Sequence, residues 1–152
     1  MELELKHLAP YFPYGLKGIA YVSKDIALDN VDIIGCNRSE LYCKYTSERY
    51  KNMSGARKWF DLYEIKPLLL PMSSLYTEIT HNGKTFIPWK ELDWGSWNDE
   101  IGYIVSAEYG ENPRVAINVL DFIDDYYKLL EWHFDVFGLI DKGLALDKTK
   151  IK

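Results

Sequence analysis

The residues from Leu129 to Gly143 form the stretch of this sequence whose side chains are best suited to acid-base chemistry. They read LLEWHFDVFGLIDKG, and His133 stands there between two carboxylic acids, Glu131 and Asp135. An imidazole beside carboxylates is the arrangement that enzymes use for general acid-base catalysis and that many proteins use to hold metal ions. The secondary structure of this stretch decides whether the three side chains can meet.

The surrounding residues predict one long amphipathic helix that contains all three. We expect it to run from about Val119 to Phe137, because Asn118 is a suitable N-cap and Gly138 a suitable C-terminal stop. At about 100° per residue, Asp124 and Asp135 fall within about 60° of Glu131, and Asp121 and Asp125 flank this sector. We expect the sector to face solvent.

His133 falls on the other side of the same helix, about 200° from Glu131. A catalytic or metal site on one helix needs partners three or four residues away, and His133 has no carboxylate at those offsets. We therefore expect His133 to be a core histidine that is hydrogen-bonded to a backbone carbonyl or to a tyrosine. The alternative is a small enzyme with a pocket around His133, which requires a carboxylate from another element beside the ring.

Other catalytic templates are absent from the sequence. It contains no GxSxG, no Gly-rich phosphate loop, no GxGxxG and no EF-hand loop. Cys36 and Cys43 fall in neighbouring predicted strands and not in a CxxC motif, and His81 is expected at a hairpin tip far from any ligand partner. We therefore expect no metal and no cofactor, and we lean away from an enzyme.

The remaining sequence is dominated by strand and turn patterns. A hairpin turn is expected at NRSE, residues 37–40, and Asn82-Gly83 predicts a type I′ hairpin that pairs Ile79 with Phe86. Strands are expected at residues 19–23, 31–36, 41–46 and 103–108.

Prolines and the chain ends add three further expectations. Pro10 and Pro13 favour an extended N-terminal arm over about residues 1–16, docked by the aromatic residues around them. Prolines at 67 and 71 make EIKPLLLPMSSL an extended crossing segment and not a helix or a central strand. Residues 144–152 are expected to form a basic C-terminal tail.

Together these patterns predict an α+β fold. We expect a single domain spanning residues 1–152, in which a mainly antiparallel sheet with hairpins packs against one long C-terminal amphipathic helix. A chain of 152 residues with 47% hydrophobic residues is large enough to bury one core. The sequence lacks a secretory start and any apolar run near the roughly 20 residues of a membrane span, so we expect a cytoplasmic protein with reduced thiols and no membrane contact.

Charge is distributed unevenly along the chain. Residues 1–90 carry 12 Lys/Arg and 10 Asp/Glu, whereas residues 91–147 carry 3 and 13, a balance of −10. An acidic segment of this kind suits a basic protein partner and not a phosphate backbone. The segment PWKELDWGSWNDE adds three indoles, which could form a stacking platform for a base or a sugar. We favour the interpretation that they cap one end of the core or fill a subunit contact, because the segment is rich in acids and poor in cations. The candidate protein-binding residues are Trp89, Trp94, Trp97, Asp121, Asp124, Asp125 and Asp135.

A basic stretch, SERYKNMSGARKWF at residues 47–60, supports an alternative hypothesis of nucleic-acid binding. A solvated loop explains the same composition, and we favour that interpretation. The candidate nucleic-acid-binding residues are Arg49, Lys51, Arg57 and Lys58.

Three segments resemble a family of small uncharacterised proteins encoded by phages and prophages of Bacteroidetes-type bacteria. They are LAPYFPYGLK, IKPLLLPMSSL and KLLEWHFDVFGLIDKGLALD, of which the last is the most specific. The resemblance spans both ends of the chain with a divergent centre, and it carries over no functional residue. It implies a phage-encoded protein made in a bacterial host cell. Our leading hypothesis is a non-enzymatic interaction module that binds a host or phage protein, and a homo-oligomer is compatible with it.

Overall fold

The computed structural model describes residues 2–23, 26–51, 57–92, 97–98, 102–103 and 119–151. The described chain has an α+β fold dominated by a six-stranded, mostly antiparallel sheet. Two further sheets have two strands each, β6 with β7 and β8 with β9. The strands in chain order are β1 Lys17–Ser23, β2 Ile26–Cys36, β3 Glu40–Tyr45, β4 Trp59–Asp61, β5 Ile65–Leu69, β6 Ile79–His81, β7 Lys84–Phe86, β8 Trp97–Asn98, β9 Gly102–Tyr103 and β10 Leu146–Asp147. The helices are α1 Leu5–Leu8, α2 Glu48–Lys51 and α3 Val119–Glu131, with 3-10 turns at Ala9–Tyr14, Leu62–Glu64, Met72–Tyr76, Pro88–Glu91 and Lys148–Lys150. Within these ranges, no helix combines the length and apolar character that a bilayer crossing requires.

The large sheet has the strand order β10, β5, β1, β2, β3, β4, in which β10 and β5 are parallel and the other pairs antiparallel. Alternate residues of β3 are buried, with Leu41, Cys43 and Tyr45 facing the core. A period of two is expected when one face of a strand packs against a core. Cys36 and Cys43 are free thiols on neighbouring strands, as the sequence indicates. Strands are confirmed, with slightly different ends, at residues 19–23, 31–36 and 41–46.

Both hairpin turns that the local sequence predicts are present. The side chain of Asn37 accepts hydrogen bonds from the backbone N–H groups two and three residues later, each at 2.9 Å, and so closes the turn between β2 and β3. Asn82 and Gly83 have φ values of 49° and 78°, as a type I′ turn requires. The register of β6 and β7 pairs Ile79 with Phe86, as predicted.

The prediction that residues 64–75 contain no central strand is wrong. Ile65–Leu69 forms β5, which lies between β1 and β10. Strand β10 pairs with Leu68 and Leu69, which follow the proline. Among the described strands, Pro67 itself therefore has a partner on one side, in β1. A proline without an N–H is tolerated where a strand has a partner on one side.

Both chain ends belong to the packed structure. The N-terminal arm is docked as expected, and Leu8, Tyr11 and Leu16 are fully buried. Its path is helical and not extended, because Pro10 and Pro13 are accommodated in a 3-10 turn. At the other end, the segment expected to be a tail contributes β10, and Ala145 is buried beside it.

The predicted long C-terminal helix is wrong. Helix α3 is described from Val119, spans 13 residues and ends at Glu131 instead of near Phe137. The proposed N-cap Asn118 lies outside the described residues, as does the strand predicted at 103–108 beyond Tyr103.

Chain segments far apart in sequence meet directly after α3. Phe134 forms a parallel bridge with Leu70, in which Leu70 donates its N–H to the His133 carbonyl and accepts from the Asp135 N–H, both at 2.8 Å. The buried hydroxyl of Tyr11 donates to the Phe134 carbonyl at 2.6 Å. These bonds connect the N-terminal arm, the end of β5 and the chain that leaves α3. We name residues 132–136 the junction.

Replacing Tyr11 by Phe tests the contribution of the junction to stability. The change removes the donor from a buried carbonyl, and we expect the free energy of unfolding to fall by about 1–2 kcal/mol in urea denaturation. Tyr127→Phe is the matched control, because this tyrosine is exposed on α3 and should be insensitive to the loss of its hydroxyl. Equal effects of the two substitutions would contradict the assignment.

Candidate functional site

His133 ends helix α3 through its backbone conformation. Its φ is 63°, in the left-handed region that glycine usually occupies at this position. The N–H of Phe134 donates to the carbonyl of Leu129 at 2.9 Å, and the N–H of His133 donates to the carbonyl of Leu130 at 3.0 Å. These two bonds define a Schellman motif. Gly138, which the sequence suggested as the stop, has a positive φ in a later turn.

The imidazole of His133 is an interior group. It is 6% exposed, and its Nε2–H donates to the carbonyl oxygen of Tyr14 at 2.9 Å. The expectation of a core histidine bonded to a backbone carbonyl is thus confirmed. Burial lowers the pKa of His133 to about 4, and the nearby charges of Lys148, His81 and Lys17 also lower it. The ring is therefore neutral at neutral pH.

Within the described ranges, no carboxylate is recorded as acting on the ring of His133, and this is the partner that the enzyme hypothesis requires. His81 was expected to be remote from any partner, but its ring lies 6.0 Å from that of His133 and nearly perpendicular to it. Glu131 acts on His81, where it opposes the lowering of the pKa by burial. The charged side chains that act on His133 are those of Lys148 and Lys17, and the neighbouring His81 also lowers the pKa of His133. Among the described residues, no group of three or more His, Cys, Asp or Glu is arranged to hold a metal ion.

A cavity of about 560 Å³ lies elsewhere in the molecule, and His133 does not line it. Its walls come from the N-terminal residues, the turn between β4 and β5, and the chain before β10; they include Leu3, Asp61, Tyr63, Lys66 and Leu144. The enzyme hypothesis requires a cavity that reaches the ring of His133, and this cavity does not reach it.

Asp135 is buried, which corrects the helical-wheel prediction that it faces solvent. It is 6% exposed, and its carboxylate oxygens accept the N–H groups of Leu139 at 2.7 Å and Ile140 at 2.8 Å. The wheel fails here because the helix has already ended at Glu131. Asp135 therefore holds the turn that follows the junction and is not available as a surface acid.

Asp125 is the second acid for which the wheel is wrong. It is 0% exposed, and its carboxylate lies 3.1 Å from the Nζ of Lys128. Lys128 also donates to the carbonyl of Glu91 at 2.9 Å, so this side of α3 packs against the Pro88–Glu91 turn. Asp124 is exposed, as predicted. Asp121 lies on α3, with its side chain outside the described residues.

Of the three clustered indoles, the structure describes the ring of Trp89. Trp94 lies outside the described residues, and Trp97 is described only as part of the β8 backbone. The half-buried ring of Trp89 stacks on Tyr76 at 5.3 Å. Sequence reasoning missed Tyr76, because the β6–β7 hairpin between the two residues brings them together and no local spacing signals the contact.

The four basic candidates do not form a set of free cations. The guanidinium of Arg57 donates to both carboxylate oxygens of Glu64, at 2.9 and 2.5 Å. Arg49 lies over the ring of Tyr50, 5.3 Å from its centroid, and Lys58 is exposed. The side chain of Lys51 lies outside the described residues. The pairing of Arg57 with Glu64 weakens the nucleic-acid hypothesis, since phosphate binding needs an available cation.

No family model matches this chain, and no solved structure matches it at a significant level.

The neutral, buried ring of His133 predicts a loss of stability in acid. Its pKa is about 4 in the folded state, against about 6.5 in an unfolded chain, so the unfolded state binds the proton first as the pH falls. As the pH falls from 6.5 to 4, protonation of His133 should lower the free energy of unfolding by at most about 3 kcal/mol. Above pH 6.5 this residue should make no contribution that depends on pH.

His133→Asn isolates this effect, because asparagine tolerates the left-handed backbone and does not titrate. The stability difference between wild type and variant, measured by urea denaturation at several pH values, should shrink from pH 7 to pH 4. A difference that is constant over this range would show that His133 is not excluded from protonation in the folded state.

The substitutions Asp135→Asn and Asp124→Asn compare how much a buried and an exposed acid contribute to stability. Asparagine offers one oxygen where the carboxylate of Asp135 accepts two N–H groups, so we expect a cost of about 1–3 kcal/mol in unfolding free energy. Asp124→Asn should change stability by less than about 0.5 kcal/mol, as exposed substitutions usually do. Chemical denaturation of both variants at pH 7 measures the contrast. A small effect of Asp135→Asn would contradict the capping role.

Proposed function

We propose that this protein is a non-enzymatic interaction module that binds a basic segment of a partner protein. The observation that supports this most directly is a set of aromatic side chains at the surface, together with an exposed acid of α3. We define this aromatic-acidic surface by Tyr76, Trp89, Asp124 and Tyr127.

Two of the three aromatic residues of this surface are more than half exposed. Tyr76 is 57% exposed and Tyr127 is 53% exposed. The ring of Tyr76 lies against that of Trp89, with the centroids 5.3 Å apart and the planes tilted by 38°. Rigid tyrosine and tryptophan side chains lose little conformational entropy on binding, and they are enriched among the residues that dominate interface energies.

The hydrogen bond from Lys128 to the carbonyl of Glu91 supports treating these residues as one surface. It holds α3 against the turn that carries Trp89. Asp124 is exposed and lies one helical turn before Lys128, so these two side chains share a face of α3. Tyr127 is exposed on the adjoining face, about 100° around the helix from Lys128. The acid and the aromatic rings are thus presented from adjoining elements.

Charge favours a basic partner. Residues 91–147 have a balance of −10, and aromatic faces attract the ammonium and guanidinium groups of lysine and arginine. The resemblance to phage-encoded proteins leads us to propose a host or phage protein as that partner, in the bacterial cytoplasm.

The buried residues narrow the original set of candidates. Asp125 and Asp135 are committed to internal contacts, so we retain Asp124 and Trp89 and add Tyr76 and Tyr127. The structural use of His133 as a helix terminator also supports a role that does not depend on catalysis.

Substitutions on and off the surface test the proposal. Asp124→Lys and Tyr76→Ala should each lower the capture of a specific protein from host cells at least about tenfold, equivalent to about 1.4 kcal/mol of binding energy. Asp141→Lys is the matched control, since it makes the same charge change at an exposed acid outside the surface. Quantitative mass spectrometry of tagged pull-downs, with circular dichroism to verify folding, provides the measurement.

Two outcomes would overturn the proposal. One is equal capture by wild type, Asp124→Lys and Tyr76→Ala. The other is recovery of nucleic acid, with protein capture lost after nuclease treatment and salt-dependent binding of the purified chain to oligonucleotides.

A further inference from the structure

Strand β4 is the last strand of the large sheet in the part of the chain that the structure describes. The carbonyl of Lys58, just before β4, accepts the N–H of Cys43 at 2.8 Å, so Lys58 and Phe60 direct their backbone groups toward β3. In an antiparallel ladder this direction alternates, and Trp59 and Asp61 therefore direct theirs away from β3. Backbone groups of this kind at a sheet edge are a template for another strand.

One ion pair occupies two of these groups. The Nε of Arg57 donates to the Trp59 carbonyl at 2.6 Å, and the N–H of Asp61 donates to the Glu64 carboxylate at 2.9 Å. Arg57 and Glu64 are themselves joined by two parallel hydrogen bonds, the strongest geometry for this pair of side chains. The ion pair thus takes the positions that the donor and acceptor of a neighbouring strand would take.

We propose that the Arg57–Glu64 pair closes the β4 edge, and that its release lets a second copy of the chain pair antiparallel through β4. The two occupied groups are one acceptor and one donor, two residues apart on the same strand. A twofold axis at Phe60 places the Asp61 N–H of each copy opposite the Trp59 carbonyl of the other. This self-complementarity is the reason that the edge fits a second copy.

Apolar surface adjoins the same edge. Trp59 is 40% exposed and its ring lies 5.0 Å from that of Tyr42 on the neighbouring strand. Burying such rings would add to the hydrogen bonds between two paired copies. None of these residues belongs to the aromatic-acidic surface, so this inference stands apart from the proposed function.

The double variant Arg57→Ala/Glu64→Ala tests the proposal. We expect its self-association constant, measured by sedimentation equilibrium, to exceed that of wild type by at least roughly tenfold, because two hydrogen bonds between copies become available. Lys17→Gln is the matched control, since it breaks an exposed ion pair with Asp32 inside the sheet and leaves the edge unchanged. In the variant dimer, amide hydrogen exchange at Asp61 should be slower than in the dilute monomer.

Three results would overturn the proposal. The first is a folded double variant that associates no more tightly than wild type, and the second is a dimer in which the Asp61 amide gains no protection. The third is measured on the wild-type protein. If its Asp61 amide exchanges hydrogen at the rate of an unprotected group, then Glu64 does not cover that amide. Should circular dichroism show that the double variant is unfolded, the single variant Arg57→Gln decides by the same association measurement.

Discussion

The left-handed backbone of His133 is the constraint on which the arrangement of both chain ends depends. It stops α3 and turns the chain so that Phe134 lies beside Leu70 at the end of β5. A residue other than glycine pays roughly 1–2 kcal/mol for this conformation, and the hydrogen bond from the ring to the Tyr14 carbonyl helps to offset it. The same turn presents the Phe134 carbonyl to the hydroxyl of Tyr11.

This constraint explains why a group of residues that resembles an active site has structural roles instead. Glu131 is the last residue of a helix and is exposed, His133 terminates that helix, and Asp135 accepts two backbone N–H groups of the next turn. The side chains of His133 and Asp135 are each used where a backbone group would otherwise lack a partner.

The surface shows that charge counts along the sequence are a poor guide to which charges are available. Asp125 and Arg57 were both candidates for binding, yet each is engaged by a charged side chain of its own chain, Lys128 and Glu64 respectively. The carboxylate beside Arg57 also covers a backbone group at a sheet edge. Ion pairs in this protein thus serve to satisfy and shield the backbone as well as to balance charge.

The sequence by itself determined the local features, because their causes lie within a few residues. Asn82 and Gly83 set a type I′ turn through their own backbone preferences, and the alternation in β3 follows from the period of a strand. The tertiary structure alone decided where α3 ends and which acids are buried. The ring of His133 is held by a residue 119 positions away, and Tyr11 bonds a carbonyl 123 positions away, so no local pattern could reveal either contact. A helical wheel assumes that the helix continues. Helix α3 ends at Glu131, and the left-handed backbone of His133 turns the chain, so the wheel does not apply to the residues after it.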